Sequence, residues 1–178
     1  MKKLIVLPLF LFFAFACSSS TRVEEERSEK NEFFENADTV EFETISQTLG
    51  YSTSGSTSFE ENQELIIETE EEFIDLWVDL HEQRSPAPDV PEIDFDNEIV
   101  IAVLMGVQNT GGYFTTIEEV GVNDGVTGIN VVETSPGEGC TITEALTMPY
   151  HIITIPDDLP DEHEFFIERI RLNCDDEE

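Results

Sequence analysis

The feature that most restricts the fold is an unbroken apolar run at residues 99–104, in which valine and isoleucine predominate. The run is long enough for a buried strand and too short to span a membrane, and turn-forming residues bound it on both sides. Glycines follow at positions 106, 111 and 112, and Tyr113 restarts an extended segment. Adjacent glycines allow the positive φ that a tight reversal requires. We therefore predict a central strand, a glycine loop and a second strand at the centre of the domain.

One amphipathic helix is predicted over residues 70–82. Thr69 is a good N-cap, and Glu72 stands three residues on, as in a capping box. Apolar residues then recur with helical spacing on one face, at Phe73, Leu76, Trp77 and Leu80. Prolines at positions 86 and 88 end the helix. With this spacing Trp77 is expected in the core, and a ligand platform is the alternative.

Apolar alternation and turn residues predict about seven strands, and hence an α+β domain with a mainly antiparallel sheet and the helix packed on one sheet face. The predicted strands cover 39–45, 65–67, 99–104, 114–120, 126–133, 140–155 and 165–172, and Pro149 interrupts the sixth. Residues 52–58 and 135–139 are loops by composition, and residues 123–125 form a reversal. A domain of this size buries a normal core, so no cofactor is needed for folding.

The N-terminus predicts export to the bacterial cell envelope. Lys2 and Lys3 precede an apolar run at residues 4–16 that ends in small residues, which is the order of a secretory signal peptide. The stretch that ends at Cys17 resembles the lipobox of bacterial lipoproteins, in which the cysteine is acylated and begins the mature chain. An ordinary signal peptide with a chance cysteine is the alternative. We expect a lipid-anchored protein at the outer membrane, either periplasmic or surface-exposed.

Four segments follow from these assignments. Residues 1–16 are the lipoprotein signal peptide, residues 17–38 a flexible acidic tether, residues 39–174 a single α+β domain and residues 175–178 an acidic tail. The tether is rich in serine and glutamate and has few apolar residues, so it cannot bury enough surface to offset the entropy of ordering.

The acidic composition restricts the partners. Without Lys2 and Lys3, six Lys and Arg residues face 40 Asp and Glu residues, a net charge of −34. Such a surface repels nucleic acid and anionic lipid headgroups. Basic partners, divalent cations and a saline habitat are all compatible with it, and a plain solvated surface is the simplest explanation.

The cysteine count suits an oxidising compartment. Acylation of Cys17 leaves Cys140 and Cys174, an even number. We predict a disulfide between these two residues, and two free thiols are the alternative.

The sequence lacks a recognisable catalytic or metal-binding pattern. His81, His151 and His163 stand alone, without the spacing of a transition-metal site, and no G-x-S-x-G elbow is present. Residues 94–98 resemble half a calcium loop but lack its glycine and its bidentate glutamate. We therefore predict a protein that is not an enzyme and has no cofactor or metal site, with His151 packed in the structure.

Several motifs, in this order along the chain, resemble the PrcB-like family, which is named for a subunit of a bacterial surface protease complex. They are the helix at 73–77, Asp94-Phe95, Ile99-Val100, Gly106, Thr110-Gly111-Gly112-Tyr113, Ser135-Pro136-Gly137 and Pro149-Tyr150-His151. The resemblance covers residues 65–156 and implies a non-catalytic, membrane-anchored domain that binds and stabilises a partner protein such as a protease. The extreme acidity and the Cys140/Cys174 pair depart from the family, so the partner can differ.

A binding module is the favoured hypothesis for function. The glycine loop and the segment after it would present backbone groups and aromatic rings to a partner protein, through Asn109, Thr110, Gly111, Gly112, Tyr113, Pro149 and Tyr150. In the structural alternative the glycines only make a turn and Tyr113 packs in the core. The rival function is a divalent-cation or small-ligand binder that uses the acidic loops, and an enzyme comes third.

Overall fold

The computed structural model describes residues 19–48 and 59–174 of the 178-residue chain. The elements are α1 (Ser19–Glu35), β1 (Asp38–Val40), β2 (Glu43–Gln47), β3 (Gln63–Ile67), α2 (Glu70–His81), β4 (Glu98–Leu104), β5 (Phe114–Asn123), β6 (Val126–Ser135), β7 (Tyr150–Pro156) and β8 (Glu162–Arg171). The predicted signal peptide at 1–16, Cys17, the loop at 52–58 and the tail at 175–178 lie outside the described residues.

The strands form two four-stranded sheets. Sheet I has the order β1-β5-β6-β8, and sheet II has the order β2-β7-β4-β3. Every neighbouring pair is antiparallel except β6 and β8, which run parallel. The apolar run predicted as the central strand is β4, which lies between β7 and β3. The mainly antiparallel α+β class is therefore confirmed, with two sheets where one was expected.

Strand alternation explains why β4 is apolar at nearly every position. Successive side chains of a strand point to opposite faces of the sheet, and both faces of sheet II are covered. On one face Ile101, Val103, Ile153 and Ile155 pack against Ile117, Val120, Ile129 and Val131 of sheet I. On the other face Val100, Ala102, Leu104 and Ile152 pack against Phe73, Leu76, Trp77 and Leu80 of α2. The order of layers is therefore α2, sheet II and sheet I.

The helix α2 forms as its sequence predicts. Thr69 Oγ1 accepts a hydrogen bond of 3.3 Å from the Glu72 main-chain N–H and donates one of 2.9 Å to the Glu72 carboxylate. Trp77 is 6% exposed, which confirms its place in the core. Its Nε1–H donates to the Pro88 carbonyl at 3.3 Å, so the proline segment after α2 returns across the helix.

The flexible tether predicted over residues 17–38 is wrong for its described part, because this part is the helix α1. Phe33 and Phe34 pack against Phe166 of β8, with ring centroids 5.0 and 5.5 Å apart. Gly128 of β6 lacks the side chain that would occupy the place of the Phe33 ring. The two phenylalanines thus bury enough apolar surface, against partners far along the chain, to order a segment whose own composition favours disorder.

Ion pairs extend the contact between α1 and β8. Arg27 and Lys30 each place a side-chain nitrogen 2.6 Å from the Glu168 carboxylate. The hydrogen bond from Lys30, together with the charges of both cations, holds the pKa of Glu168 below its usual value. Glu168 and Phe166 alternate with Phe165 and Ile167, which face the core between the sheets. The helix α1 therefore lies on the outer face of sheet I.

Two strand predictions need correction. The strand predicted over 39–45 is divided: β1 pairs with β5 in sheet I, and β2 pairs with β7 in sheet II, after a break at residues 41 and 42. No strand forms over 140–147. Both edges of β6 are occupied, by β5 and by β8, so the chain that leaves β6 cannot return beside it. Residues 136–149 form a long loop that crosses to sheet II.

Candidate functional site

Two loops lie side by side at the end of the domain where β4 and β6 finish. The glycine loop spans residues 105–113 between β4 and β5, and the long loop spans residues 136–149 between β6 and β7. The surface that these two loops form is named the loop face. The predicted site residues 109–113 belong to the glycine loop, and Pro149 is the last residue of the long loop. The structure therefore brings most of the predicted binding residues together.

Main-chain hydrogen bonds join the two loops. Gln108 and Thr147 exchange two N–H···O bonds, of 2.7 and 2.9 Å, and form an isolated bridge. The Gly111 N–H donates to the Thr143 carbonyl at 2.9 Å. The Thr147 hydroxyl donates to the Thr110 carbonyl at 2.8 Å. These bonds fix the position of the long loop although it contains no regular secondary structure.

Two glycines permit this arrangement. Gly106 has a φ of +66°, and a Cβ there would lie 2.8 Å from the Glu60 carbonyl oxygen. Gly112 has a φ of +89°, and a Cβ there would lie 3.1 Å from Pro136 and 3.3 Å from Ile142. Both positions need the left-handed conformation and the absence of a side chain. The glycine loop is therefore a close-fitting structural turn, as the alternative hypothesis predicted for its glycines.

A disulfide fixes the far side of the long loop. Cys140 and Cys174 are bonded, with their Cα atoms 4.9 Å apart and a sequence separation of 34. Beside this link the Leu172 N–H donates to the Ser135 carbonyl at 2.9 Å, and Gly137 lies directly against the Leu172 main chain. The long loop is thus attached both to the glycine loop and to the end of β8.

The loop face exposes aliphatic side chains on this fixed backbone. Ile142 is 40% exposed and Leu146 is 53% exposed, while Asn109 is exposed and Tyr113 is half-buried. Leu146 precedes Thr147, which makes two bonds to Gln108, so the leucine is held beside the glycine loop. The arrangement offers apolar area, amide groups and part of an aromatic ring in one place.

Pro149 and Tyr150 are not part of this surface. Both are buried, and Tyr150 is 2% exposed in the core under α2. The prediction that these two residues contact a partner is therefore wrong. The tyrosine hydroxyl lies 3.2 Å from Ser46 Oγ and 3.4 Å from His81 Nε2. Strand alternation from the buried β7 directs the ring inward, which the sequence motif alone did not reveal.

His81 completes this buried polar cluster. Its Nδ1 lies 2.8 Å from the Trp77 carbonyl, which only accepts, so Nδ1 carries the proton and Nε2 accepts from Tyr150. Burial lowers the pKa of His81, and nearby Arg84 acts in the same direction, against the effect of the Trp77 hydrogen bond. The cluster is a satisfied network of neutral groups inside the core.

His151 connects the two sheets. Its Nδ1 accepts a hydrogen bond of 2.8 Å from the Ile117 N–H of β5, and its Nε2 lies 3.0 Å from Thr44 Oγ1 of β2. Since Nδ1 accepts, Nε2 carries the proton and donates to Thr44. Burial lowers the pKa of His151 from 6.5 to about 4. The expectation of a packed histidine is confirmed, and its partners contain no carboxylate.

The acidic residues do not assemble a metal site in the described part of the chain. Within residues 19–48 and 59–174, no group of three or more His, Cys, Asp and Glu side chains is placed to hold a metal ion. The half calcium loop is a turn that starts β4: the Asp94 carboxylate accepts from the Asn97 side chain at 2.8 Å. Across the same residues, no helix has the length and apolar character needed to span a membrane.

Sequence reasoning missed Ile142 and Leu146, because it placed both inside a predicted strand. Residues four apart lie on the same face of a strand, so the spacing of Ile142 and Leu146 did not distinguish a loop from a strand. By contrast, each of the two loops that form the loop face contains a motif recognised in the sequence. Gly112 belongs to the motif in the glycine loop, and Pro136 belongs to the motif in the long loop.

The comparison with known proteins supports the resemblance found in the sequence. No curated protein and no solved structure shows significant similarity to the chain. Residues 99–156 match the family described as PrcB C-terminal, from β4 through β7, so the matched segment contains both loops of the loop face. The chain is thus similar, over residues 99–156, to the PrcB C-terminal family, as its motifs predicted.

Proposed function

We propose that this protein is a lipid-anchored, non-catalytic accessory subunit that binds and stabilises a partner protein through the loop face. The observation that carries the proposal is the exposure of Ile142 and Leu146 on a loop held by hydrogen bonds and a disulfide. The family match supports a partner within a protease complex, because the resemblance implies such an assembly.

A loop that is already fixed loses less conformational entropy on binding than a mobile loop. Apolar side chains gain free energy when a partner removes them from water, in proportion to the area buried. A mobile loop loses part of this gain because binding must fix its backbone and side chains. The long loop is already fixed by Cys140–Cys174 and by the bonds to Gln108 and Gly111. The loop face is therefore organised for binding before a partner arrives.

Two histidines are buried and hydrogen-bonded to protein groups, which supports a binding role over catalysis. General acid–base catalysis requires a titrating group within hydrogen-bond reach of a substrate. His81 and His151 are each 3% exposed, and their ring nitrogens bond to protein groups. Their lowered pKa values follow from burial in the core and not from a cleft that admits a substrate.

Leu146→Asp is expected to reduce recovery of the partner about tenfold or more, since it removes an apolar contact and places an unpaired charge in the interface, and a loss of about 1.4 kcal/mol is tenfold in affinity. Val78→Asp on α2 is the matched control, because Val78 is 55% exposed and Leu146 is 53% exposed. The measurement is quantitative mass spectrometry of partners cross-linked to the anchored protein in cells. Equal recovery with both variants, at unchanged thermal stability, would contradict binding through the loop face.

Lipid anchoring has a separate test. The motif that ends at Cys17 predicts acylation, and more than one acyl chain is needed for stable attachment to a membrane. Cys17→Ser is expected to move the protein from the membrane fraction to the soluble fraction, with an unchanged fold by circular dichroism. Metabolic labelling with a fatty acid should mark the wild type and not the variant. Labelling of neither protein would refute the anchor and leave the loop face untouched.

A further inference from the structure

Among residues 19–48 and 59–174, no strand pairs with the outer edge of β8, so one long edge of sheet I is open. The strand β8 is the last strand in the order β1-β5-β6-β8 and has 10 residues, whereas β1 at the opposite edge has 3. An open edge presents unpaired main-chain N–H and C=O groups that can pair with another strand. Natural sheets commonly shorten or cover such edges, and α1 lies on the face of β8 and not along its edge.

The hydrogen-bond pattern identifies the outward-facing groups. The Leu172 N–H donates to the Ser135 carbonyl, so main-chain groups of even-numbered residues face β6. The bond from Ser135 Oγ to the Ile170 carbonyl agrees with this phase. In a parallel pair, alternate residues direct both main-chain groups to opposite sides of the strand. The groups on the open edge therefore belong to His163, Phe165, Ile167, Arg169 and Arg171.

A groove runs beside this edge. It has a volume of about 380 Å³ and is lined by residues 26, 27, 29 and 30 of α1 and by residues 164–169 of β8. The lining includes Phe165, Ile167 and Arg169, whose main-chain groups face the open edge. The helix α1 forms one wall, and the main chain of β8 forms the other. A single extended strand fits this geometry, since it needs one partner edge and one supporting wall.

The side chains around the groove define the occupant. On the inner side Phe165 and Ile167 are only half-buried, although they pack against the core between the sheets. On the outer side Glu29 and Glu164 form no ion pair with any other described residue, whereas Glu168 is already bonded to Arg27 and Lys30 of α1. Alternate residues of an added strand would meet these two sides in turn. We propose that β8 accepts one strand of a partner protein in which apolar and basic residues alternate.

A second copy of this chain fits the edge poorly. The outer face of β8 carries Glu162, Glu164 and Glu168. If two β8 strands paired edge to edge, glutamates of one copy would lie next to glutamates of the other on that face. Like charges at neighbouring cross-strand positions are destabilising. A strand with lysine or arginine at these positions would turn the same contact into attraction.

The inference goes beyond the proposed function, because the edge of β8 and the loop face are different surfaces. The probe is a synthetic peptide of alternating lysine and valine with the length of β8, capped at both ends. Two control peptides are an alternating glutamate and valine peptide and a block peptide with all lysines before all valines. The measurement is hydrogen–deuterium exchange of the full-length protein in nonionic detergent, with affinity from fluorescence anisotropy.

Arg169→Pro and Arg169→Ala are the matched variants. Both remove the ion pair with Glu133, but only proline removes the N–H on the open edge and obstructs pairing. We expect proline to weaken binding of the lysine–valine peptide about tenfold or more, and alanine less than about threefold. Arg171→Pro and Arg171→Ala, farther along the same edge, are the second pair if Arg169→Pro reduces the thermal stability.

The expected result is slowed exchange at the odd-numbered amides of β8 with the lysine–valine peptide, and not with either control peptide. Three results would overturn the proposal: absence of peptide binding, equal affinity of the proline and alanine variants, or protection that maps outside β8. Protection of β8 without peptide, together with a dimer in sedimentation, would also overturn it in favour of self-pairing. Partner recovery in the Leu146→Asp experiment tests the loop face separately, so failure of one does not imply failure of the other.

Discussion

The double variant Cys140→Ser/Cys174→Ser is expected to lose about 3 to 4 kcal/mol of the free energy of unfolding in the chain-entropy description of a cross-link. The bond closes a loop with a sequence separation of 34 that contains all of β7 and β8, so its removal greatly enlarges the unfolded ensemble. The loss is a large share of the roughly 5 to 15 kcal/mol that stabilises a typical domain. Urea denaturation of the wild type and the variant provides the measurement.

The same protein supplies the control for this prediction. Wild type in dithiothreitol should unfold at the urea concentration of the double variant, because reduction breaks only the bond between Cys140 and Cys174. Hydrogen exchange should quicken first in the long loop near Cys140, because its remaining hydrogen bonds to residues 48, 105, 108, 110 and 111 all come from residues 143–149. Equal stability of the oxidised and reduced proteins would show that the disulfide does not stabilise the domain.

The second large effect is on pH dependence and comes from His151. The pKa of His151 is 6.5 in the unfolded chain and about 4 in the folded protein, because its ring is buried between the sheets. Between these values the unfolded chain binds a proton that the folded protein excludes. The contribution of His151 to stability is therefore complete above pH 6.5 and is lost as pH falls toward 4. The loss is about 3 kcal/mol.

His151→Asn isolates this contribution. Asparagine does not titrate, and its side-chain oxygen can accept from the Ile117 N–H in place of Nδ1. We expect the stability difference between wild type and variant to change by about 3 kcal/mol between pH 7 and pH 4, in the direction that favours the variant at low pH. Thr44→Val is the control, since it removes the partner of Nε2 and keeps the titrating ring. A pH-independent difference between wild type and His151→Asn would contradict the assignment.

The two surfaces proposed for binding meet at one end of the domain. The loop face contains the long loop, and the disulfide Cys140–Cys174 attaches that loop to the chain immediately after β8. Loss of the disulfide would therefore loosen the loop face and the end of the β8 edge together. The single-site variants Leu146→Asp and Arg169→Pro each affect only one of these surfaces, so they separate the contributions that the disulfide variant combines.

Local patterns were sufficient where an element depends on its own residues. The capping pair Thr69 and Glu72 and the apolar spacing from Phe73 to Leu80 predicted α2 within one residue of its observed end. The apolar run of β4 predicted a strand buried on both faces, and the reversal at Asp124 and Gly125 has the positive φ values that such a turn requires. Each of these signals lies within a few residues, so it can be recognised without knowledge of the rest of the chain.

Distant contacts decided the features that the sequence did not reveal. The helix α1 depends on Phe166 and Glu168, more than 100 residues away, and so its own composition predicted a tether. The long loop was predicted as a strand because its composition permits one, but β5 and β8 already occupy both edges of β6. Tyr150 was predicted to contact a partner but is buried, and Leu146 was not predicted as a site residue but is exposed. Both differences arise because burial depends on which layer of the fold covers a residue.

Local sequence patterns were enough to predict the α+β class, the central strand, the helix α2, the resemblance to the PrcB C-terminal family and the cysteine pair available for a disulfide. The presence of two sheets, the ordering of α1, and the exposure of aliphatic side chains of the long loop while Tyr150 is buried became evident only in the folded chain. The cause is the distance in sequence over which each kind of signal acts. Periodicity, caps and turns act between neighbours in sequence, whereas sheet order and burial depend on residues that only the folded chain brings together.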